Sequence, residues 1–428
     1  MVLVSTLTHV WRGRGCSAAR DLLARPVTRL VVLLIVLATP AMLGGCAPAT
    51  ARNAVPVALV EQAEVRNLKA TRFWGDEAGS TTPADLSARL PNMKAVAIAP
   101  KRENGRPVVN FLALSGGGAD GAFGAGLLVG WSEAGTRPQF EVVTGVSTGA
   151  IIATFAFLGP RYDDILREVF TEYATAQLLE AQVLSGLFGG SALADSAPLA
   201  RLIAKYVDQK MIEEVAREYR GGRMLLIGTT NLDAQRPVIW NMGEIASSGH
   251  PDAIVLFRKV ILASASIPGL FPPVTIDVAA DGQHFEEMHV DGGPTRQVFL
   301  TPAQLSLRDF DGFYDKPPVR RIYIIRNAKL SPDYEPAQPT ALAITAKTIT
   351  TLIMNQSQGD LLRIYRTARQ ARAEFNLAAI PADFHAPQKE PFDKAYMQEL
   401  FKTGSKLARD GYKWLKQPPE LGRTIALN

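Results

Sequence analysis

Cysteine is nearly absent from this chain of 428 residues, which contains only Cys16 and Cys46. Both lie near the N-terminus, so the body of the protein has neither a disulfide framework nor a cysteine-based zinc site. Mechanisms that need a histidine base also have few candidates. The five histidines are His9, His250, His284, His289 and His385.

Excess charge is missing from most of the chain as well. The formal net charge is +5, but residues 1–45 hold five arginines against the single acidic residue Asp21. The rest of the chain carries almost equal numbers of basic and acidic residues. Since binding to nucleic acid relies on clustered positive charge, the composition predicts no nucleic-acid partner.

The most apolar run near the N-terminus, residues 30–38 (LVVLLIVLA), is shorter than a membrane-spanning helix needs. Arginines precede it, and Leu43-Gly44-Gly45-Cys46 follows it, as in a secretory signal. The ending resembles the lipobox of bacterial lipoproteins, which implies that residues 1–45 are a signal peptide and that Cys46 is lipidated. The residue after the cysteine is Ala47, not an aspartate. By the same resemblance, this favours a location at the outer membrane of the cell envelope. An uncleaved anchor helix and a plain secretory signal are the alternatives.

Two regions are predicted beyond the signal. Residues 46–95 are rich in Ala, Pro and Thr and are predicted to be a tether and irregular lead-in, although Phe73 and Trp74 indicate that part of it packs. Residues 96–428 are predicted to form one α/β domain, because short apolar strands alternate with segments of helical spacing. Strands are predicted at 108–114, 140–144, 223–230, 237–241 and 320–326. Helices are predicted at 161–179, 196–207, 211–219, 253–266 and 341–376.

A glycine-rich loop follows the first predicted strand of this domain. Its sequence, Gly116-Gly117-Gly118-Ala119-Asp120-Gly121, fits the G-x-G-x-x-G pattern of dinucleotide-binding sites. That function needs an acidic residue at the end of the next strand, where none stands, and no Gly-Lys pair closes the loop as in a phosphate-binding loop. Consecutive glycines also let backbone N–H groups point into a cavity, which makes an oxyanion hole. We favour the oxyanion hole and keep nucleotide binding as the alternative.

A serine stands between two glycines in Gly145-Val146-Ser147-Thr148-Gly149, after a predicted strand and before a predicted helix. This pattern is typical of a nucleophile on a sharp strand-to-helix turn, although a simple small-residue turn produces it too. A serine needs a base to take its proton. Asp291, which precedes Gly292 and Gly293, could be that base directly. Asp291 followed by His385 would also satisfy the order of a histidine-dependent α/β-hydrolase.

Taken together, these segments resemble the patatin-like phospholipase family. The glycine loop at 116–121, the serine motif at 145–149 and the Asp-Gly-Gly run at 291–293 occur in the order and approximate spacing of that family. Residues 196–203 (SAPLARLI) and 263–274 (ASASIPGLFPPV) also look like segments that the family carries. The resemblance covers about residues 108–330 and implies a three-layer α/β/α fold with a central, mostly parallel sheet.

The resemblance also implies roles for individual residues. Ser147 would be the nucleophile and Asp291 the base of a dyad without histidine. Many members carry a basic residue near the loop glycines, whereas this chain has Ala119 and Asp120. This difference favours less polar esters as substrates over lipids with anionic headgroups. The backbone of Gly116, Gly117 and Gly118 would form the oxyanion hole, and the other motif glycines would be Gly121, Gly145, Gly149, Gly292 and Gly293.

The predicted function is a membrane-anchored lipid acyl hydrolase of phospholipase A or esterase type, without metal or cofactor. Its predicted partners are a lipid substrate and, through Cys46, the membrane. A catalytically silent lipid-binding lipoprotein on the same fold is the alternative, against which the presence of both Ser147 and Asp291 argues. The Arg-rich stretch 360–376 could meet anionic lipid, but a solvated helix face is the preferred interpretation. The sequence carries no signal for an oligomer.

Overall fold

The computed structural model describes residues 52–68, 70–76, 101–181, 192, 194–301, 306–331 and 336–419. The predicted signal peptide and Cys46 lie outside these residues. Residues from Ala54 onwards group into one unit by their contacts. Within the described ranges, no helix combines the length and the apolar character that crossing a membrane requires.

A large mixed sheet forms the middle layer of the fold. The two short strands β6 and β7 pair with each other, and the other strands of the described residues belong to the large sheet. In chain order the strands are β1 (Glu64–Val65), β2 (Arg72–Trp74), β3 (Arg102–Glu103), β4 (Arg106–Leu114), β5 (Val142–Val146), β6 (Glu180–Ala181), β7 (Ala194–Asp195), β8 (Met224–Asn231), β9 (Arg236–Asn241), β10 (Val274–Ala280), β11 (Gln283–Asp291), β12 (Val319–Lys329) and β13 (Glu374–Ile380).

The centre of the sheet is parallel, in the order β8-β5-β4-β12-β13. Strand β4 is buried at every residue except the first, which is typical of a parallel strand covered on both faces. The sheet becomes antiparallel beyond β8, where β9 and β11 pair with β8, β10 pairs with β11, β1 pairs with β10 and β2 pairs with β9.

Two strands share one edge of β8 and approach it from opposite directions. The first part of that edge, Met224–Gly228, pairs in parallel with β5, and the next residues, Thr229–Asn231, pair antiparallel with β11. The opposite edge of β8 is occupied by β9. The carboxyl ends of β5 and β11 therefore meet beside the junction of Gly228 and Thr229.

Helices cover both faces of the sheet. Along β4, Leu112 and Leu114 enter a core that includes residues of α1, α2 and α10, whereas Phe111 and Ala113 enter a second core that includes α9. Because successive side chains of a strand point to opposite faces, the layers are α/β/α, as predicted from the sequence. The helices of the described residues are α1 (Gly121–Glu133), α2 (Thr148–Leu158), α3 (Asp163–Thr171), α4 (Thr175–Leu178), α5 (Ala197–Tyr206), α6 (Gln209–Arg220), α7 (Met242–Ser247), α8 (Ala253–Ser264), α9 (Ala341–Ala371) and α10 (Lys394–Arg409), with short 3-10 helices at Val57–Gln62, Gly118–Asp120, Pro160–Tyr162 and Leu307–Phe313.

Three predicted segments differ from the structure. The helix predicted at 161–179 is divided into α3 and α4. The helix predicted at 341–376 ends at Ala371, because Arg372 adopts a left-handed conformation with φ of 53° and β13 begins at Glu374. Part of the lead-in predicted as irregular is ordered, since β1 and β2 extend the sheet and Trp74 is buried.

Candidate active site

Ser147 occupies the sharp turn between β5 and α2. Its backbone has φ of 56° and ψ of −128°, a strained conformation for a residue with a side chain. The flanking glycines are needed because the chain passes close to itself there. A Cβ at Gly145 would lie 2.3 Å from the carbonyl oxygen of Gly149, and one at Gly149 would lie 2.5 Å from the carbonyl oxygen of Leu114. The serine motif is thus a tight strand-to-helix turn with the nucleophile candidate at its apex.

The segment at 263–274 holds both candidate catalytic residues by their backbones. The N–H group of Ser147 donates to the hydroxyl of Ser264 at 2.9 Å, and that hydroxyl donates to the carbonyl of Gly228 at 2.7 Å. The N–H group of Asp291 donates to the carbonyl of Ser266 at 2.9 Å. Residues of this segment therefore fix Ser147 and Asp291 relative to each other, a role that the sequence analysis did not assign to Ser264 or Ser266.

Asp291 is the last residue of β11 and lies beside the end of β5. It pairs with Thr229 of β8, while Val146, the residue before Ser147, pairs with the adjacent Gly228. The carboxylate of Asp291 accepts a hydrogen bond, at 2.7 Å, from the N–H group of Gly293, and the Ser147 side chain lies close enough to lower the pKa of this carboxyl group. The structure thus brings together two residues that lie far apart in the sequence.

The surroundings of Asp291 disfavour its negative charge. Burial raises the pKa of its carboxyl group to about 6, although the hydrogen bonds from Ser147 and Gly293 partly oppose this rise. Both Ser147 and Asp291 are only 5% exposed. A carboxylate with a pKa near neutrality is better suited to accept a proton than an ordinary surface aspartate, yet it is still ionised at neutral pH.

The glycine loop lies directly against Ser147. A Cβ at Gly116 would lie 3.0 Å from the Cβ of Ser147, and Gly118, with φ of +56°, lines the same cavity as the serine. Because α1 and α2 both begin next to this loop, their N-termini contribute partial positive charge. The loop is therefore placed where an oxyanion would form after attack by Ser147.

Gly116 is not available as an oxyanion donor, which corrects the predicted set of three. Its N–H group already donates to the carbonyl oxygen of Gln297 at 3.1 Å. The N–H groups of Gly117 and Gly118 have no acceptor among the described residues, so these two are the donors that an oxyanion could use. Asn327 fixes this part of the loop, since its side-chain amide donates to the carbonyl of Ser115 at 2.7 Å.

None of the histidines in the described residues contacts Ser147. His289 is fully buried, and both ring nitrogens are engaged, Nδ1 with the hydroxyl of Thr229 and Nε2 with the carboxylate of Glu287, each at 3.0 Å. Glu287 in turn binds the guanidinium of Arg72 on β2. His385 is exposed. The histidine-dependent alternative therefore has no geometric support in this part of the chain.

We expect the substitution His385→Ala to leave ester hydrolysis within about twofold of the wild-type rate, because an exposed side chain away from the site contributes little. The buried His289→Asn is expected to lower the melting temperature, since it disturbs a buried network, while its folded fraction still reacts with a fluorophosphonate probe. Labelling and hydrolysis assays measure both. Loss of activity in His385→Ala would instead favour the histidine-dependent mechanism.

An apolar cavity opens beside Ser147. Gly118, Ser147 and Thr148 lie at its polar end. The rest of its lining is apolar and comes from several elements: Ile151, Val169, Phe170, Leu178, Leu199, Leu202, Ala265, Ile267, Phe271, Phe392 and Met397. Such a lining excludes charged ligands but accommodates hydrocarbon.

The C-terminal part of the chain also contributes to the site. Phe392 and Met397 line the cavity, and the hydroxyl of Tyr396 on α10 donates to Oδ1 of Asp120 at 2.5 Å. Asp120 lies two residues beyond Gly118, so this contact ties α10 to the loop that carries the oxyanion donors. Phe392, Tyr396 and Met397 belong to no recognisable motif, so their place at the site could not be predicted.

We expect Tyr396→Phe to lower kcat by about tenfold with little change in KM, because small displacements of catalytic groups are costly. Asp120→Asn should have a similar effect, and the double variant should be no worse than either single variant if the two residues act through one contact. Steady-state kinetics of the two single variants and the double variant on a soluble ester measure these effects. Tyr365→Phe, on α9, is the matched control. Additive losses would contradict the positioning role.

No cluster of three or more His, Cys, Asp or Glu side chains suited to a metal ion occurs in the described part of the chain. The polar groups at the site are the Ser147 hydroxyl, the Asp291 carboxylate and the backbone of the glycine loop. Their arrangement can activate a hydroxyl, stabilise an oxyanion and hold an apolar group, which together define the chemistry of an ester-cleaving site.

Fold and site together describe a three-layer α/β/α protein with a Ser–Asp pair beside a glycine-rich loop. Residues 112–304 match the Patatin family model, described as patatin-like phospholipase, so this part of the chain is a patatin-like phospholipase domain. The match supports a lipid ester hydrolase. It includes Ser147, Asp291 and the glycine loop but ends before α9 and α10. No curated protein matches the chain.

Several solved structures are similar to this chain at low identity. VipD from Legionella pneumophila is 11% identical over 74% of this chain and 70% of its own, with a TM-score of 0.32. ExoU, from the type III secretion system of Pseudomonas aeruginosa, is 14% identical over 71% of this chain and 52% of its own, with a TM-score of 0.30. Human GIVD cytosolic phospholipase A2 is 12% identical over 79% of this chain and 63% of its own, with a TM-score of 0.31. This chain therefore spans about half of ExoU.

Proposed function

We propose that this protein is a membrane-anchored lipid acyl hydrolase that cleaves carboxylic esters through a Ser147–Asp291 dyad. The observation that carries the proposal is the placement of the buried Ser147 side chain next to the buried Asp291 carboxylate, beside an apolar cavity. Family membership supports the same reaction class.

The first half of the reaction forms an acyl-enzyme. The Oγ atom of Ser147 attacks the ester carbonyl carbon while its proton passes to the carboxylate of Asp291. The resulting oxyanion accepts hydrogen bonds from the N–H groups of Gly117 and Gly118. When the carbon–oxygen bond to the leaving alcohol breaks, Asp291 returns the proton to that oxygen, and the acyl group stays on Ser147.

The second half of the reaction releases the fatty acid. A water molecule attacks the acyl carbon and gives its proton to Asp291, and the new oxyanion occupies the same two N–H groups. The bond to Ser147 Oγ then breaks, and Oγ takes the proton back. Throughout, the apolar cavity holds the acyl chain and keeps bulk water away from the ester.

The cavity and the loop also bear on the substrate. Asp120 stands where a basic residue would favour a phosphate, so we propose esters with weakly charged or neutral headgroups over strongly anionic ones. An assay with fluorogenic long-chain esters and phospholipids of differing headgroup tests this function. Turnover of at least one lipid ester is expected. Binding of these lipids without turnover would instead favour the catalytically silent lipoprotein.

The proposed anchor is a lipidated Cys46 in the bacterial cell envelope, at the outer membrane. We expect Cys46→Ser to shift the protein from the membrane fraction to the soluble fraction, because the acyl chains supply most of the membrane affinity of a lipoprotein. Fractionation with Cys16→Ser as the matched control measures this. If Cys46→Ser fractionates as the wild type does, the lipidation proposal is wrong.

A further inference from the structure

Helix α9 is much longer than the surface on which it packs. Its second half is held in the core on one face of the sheet, where Leu361, Ile364 and Ala368 are buried. From the N-terminus, the first buried residue among those whose side chains are described is Ser357, just past the middle of the helix. The helix thus consists of a packed half and a half that extends from the domain.

The extended half lies at the edge formed by the carboxyl ends of the parallel strands. Near its middle, α9 contacts the loop that follows Asp291: Gln356 donates to the carbonyl of Thr295 at 2.9 Å, and the N–H group of Gln297 donates to Asp360 at 2.8 Å. The second half of α9 then runs back to the start of β13, at the opposite end of the parallel strands, because β13 is parallel to β12. Residues 341–355 therefore project beyond the carboxyl ends of the parallel strands, where Ser147 lies, by about 20 Å at the rise of an α-helix.

One face of α9 is both apolar and basic. Ile344, Leu352 and Leu362 are exposed to 52%, 65% and 37%. At 100° per residue they lie within one third of the helix circumference, together with the exposed Arg366 and Arg369. The other large exposed hydrophobic side chains of the described residues are scattered over different elements: Val57, Leu232, Val255 and Leu415.

Acidic residues are absent from the extended half. No Asp or Glu occurs between residues 341 and 359, and the acidic residue that ends this stretch, Asp360, is 1% exposed and paired with Arg363. A helix that presents apolar side chains and basic groups without exposed carboxylates is suited to the boundary between anionic headgroups and acyl chains.

We propose that the outer face of α9, defined by Ile344, Leu352, Leu362, Arg366 and Arg369, docks on an anionic lipid surface. The inference rests on the proposed function for its purpose, since docking would keep the protein at the surface that holds its lipid ester substrate. It revises the sequence-based preference for a solvated helix face at 360–376.

A polarity-sensitive fluorophore tests the contact without requiring catalysis. In the full chain with Cys16→Ser and Cys46→Ser, the substitution Leu352→Cys supplies one labelling site on the proposed face. Val255→Cys, an exposed apolar position on α8, is the matched control. Vesicles that contain phosphatidylglycerol should shift the emission of the label at 352 to the blue, vesicles of phosphatidylcholine should shift it less, and the label at 255 should not respond. No shift at 352, or an equal shift at 255, would overturn the proposal.

A second variant connects docking to turnover. Ile344→Asp combined with Leu352→Asp should lower hydrolysis of esters presented in anionic vesicles by about tenfold or more, because two partly inserted apolar side chains are lost. Hydrolysis of a soluble butyryl ester should be unchanged, and Val255→Asp should have no effect in either assay. Equal losses on both substrates would contradict docking. A wild-type protein that hydrolyses neither ester would contradict the proposed function but leave the fluorescence result interpretable.

Discussion

The substitution Ser147→Ala is expected to lower ester hydrolysis by about a thousandfold or more, because it removes the atom that attacks the ester carbonyl carbon. Labelling by a fluorophosphonate probe should disappear at the same time. The fold should persist, since the backbone N–H group that donates to Ser264 is retained and alanine is smaller than serine. Initial rates on a soluble ester and gel-based labelling measure both effects.

A matched control for this variant is Ser357→Ala on α9. Ser357 is also buried, and its hydroxyl has no hydrogen-bond partner in the described structure, so its loss should leave the rate within about twofold. If Ser147→Ala retained wild-type labelling, another residue would be the nucleophile and the assignment of the serine motif would be wrong.

The substitution Asp291→Asn is expected to lower the rate by a comparable factor, about a thousandfold, because an amide cannot take the serine proton. In the wild type, activity should fall as the pH drops through about 6, the raised pKa of Asp291, since only the ionised form is a base. The exposed Asp252→Asn is the control and should leave the pH–rate profile unchanged. A wild-type acid limb that persisted in a residually active Asp291→Asn variant would belong to another group.

The same substitution is expected to stabilise the protein at neutral pH. Because burial raises the pKa of Asp291, the folded state binds its proton more tightly than the unfolded state does. The contribution of this group to stability is therefore greatest below the unfolded pKa of about 4 and is lost as the pH rises through about 6. Asp291→Asn should raise the free energy of unfolding by on the order of 2 kcal/mol at about pH 8 and have little effect near pH 4. If Asp291→Asn lowered the free energy of unfolding at both pH values, the raised pKa of Asp291 would be contradicted.

The central fold was accessible from the sequence because its strands are short apolar runs bounded by glycine. The strands around 108–114 and 223–230 and the helices at 196–207 and 253–266 were predicted close to their observed bounds. Strand β13 was not predicted, and its first three residues were assigned to the preceding helix, because an apolar run of this length has no periodicity that separates strand from helix. The pairing of β2 with β9 could not be predicted, since it depends on a contact across more than 150 residues.

The candidate site could be predicted as a set of residues but not as a set of atoms. The sequence motifs identified Ser147, Asp291 and the glycine loop, and the structure places all three together. It could not show that the N–H group of Gly116 is already bound to Gln297, nor that Ser264 orients Ser147. The contact between Tyr396 and Asp120 could not be predicted, because it joins residues separated by 276 positions and depends on how α10 packs against α1.

The most direct test of the Ser–Asp mechanism is to identify the residue that becomes acylated during turnover. The protein is mixed with an activated ester, quenched in acid within the first turnovers and digested, and its peptides are analysed by mass spectrometry. The mechanism predicts an acyl adduct on the peptide that contains Ser147, present in the wild type and absent from both Ser147→Ala and Asp291→Asn. An adduct on a different residue, or rapid hydrolysis with Ser147 replaced by alanine, would contradict it.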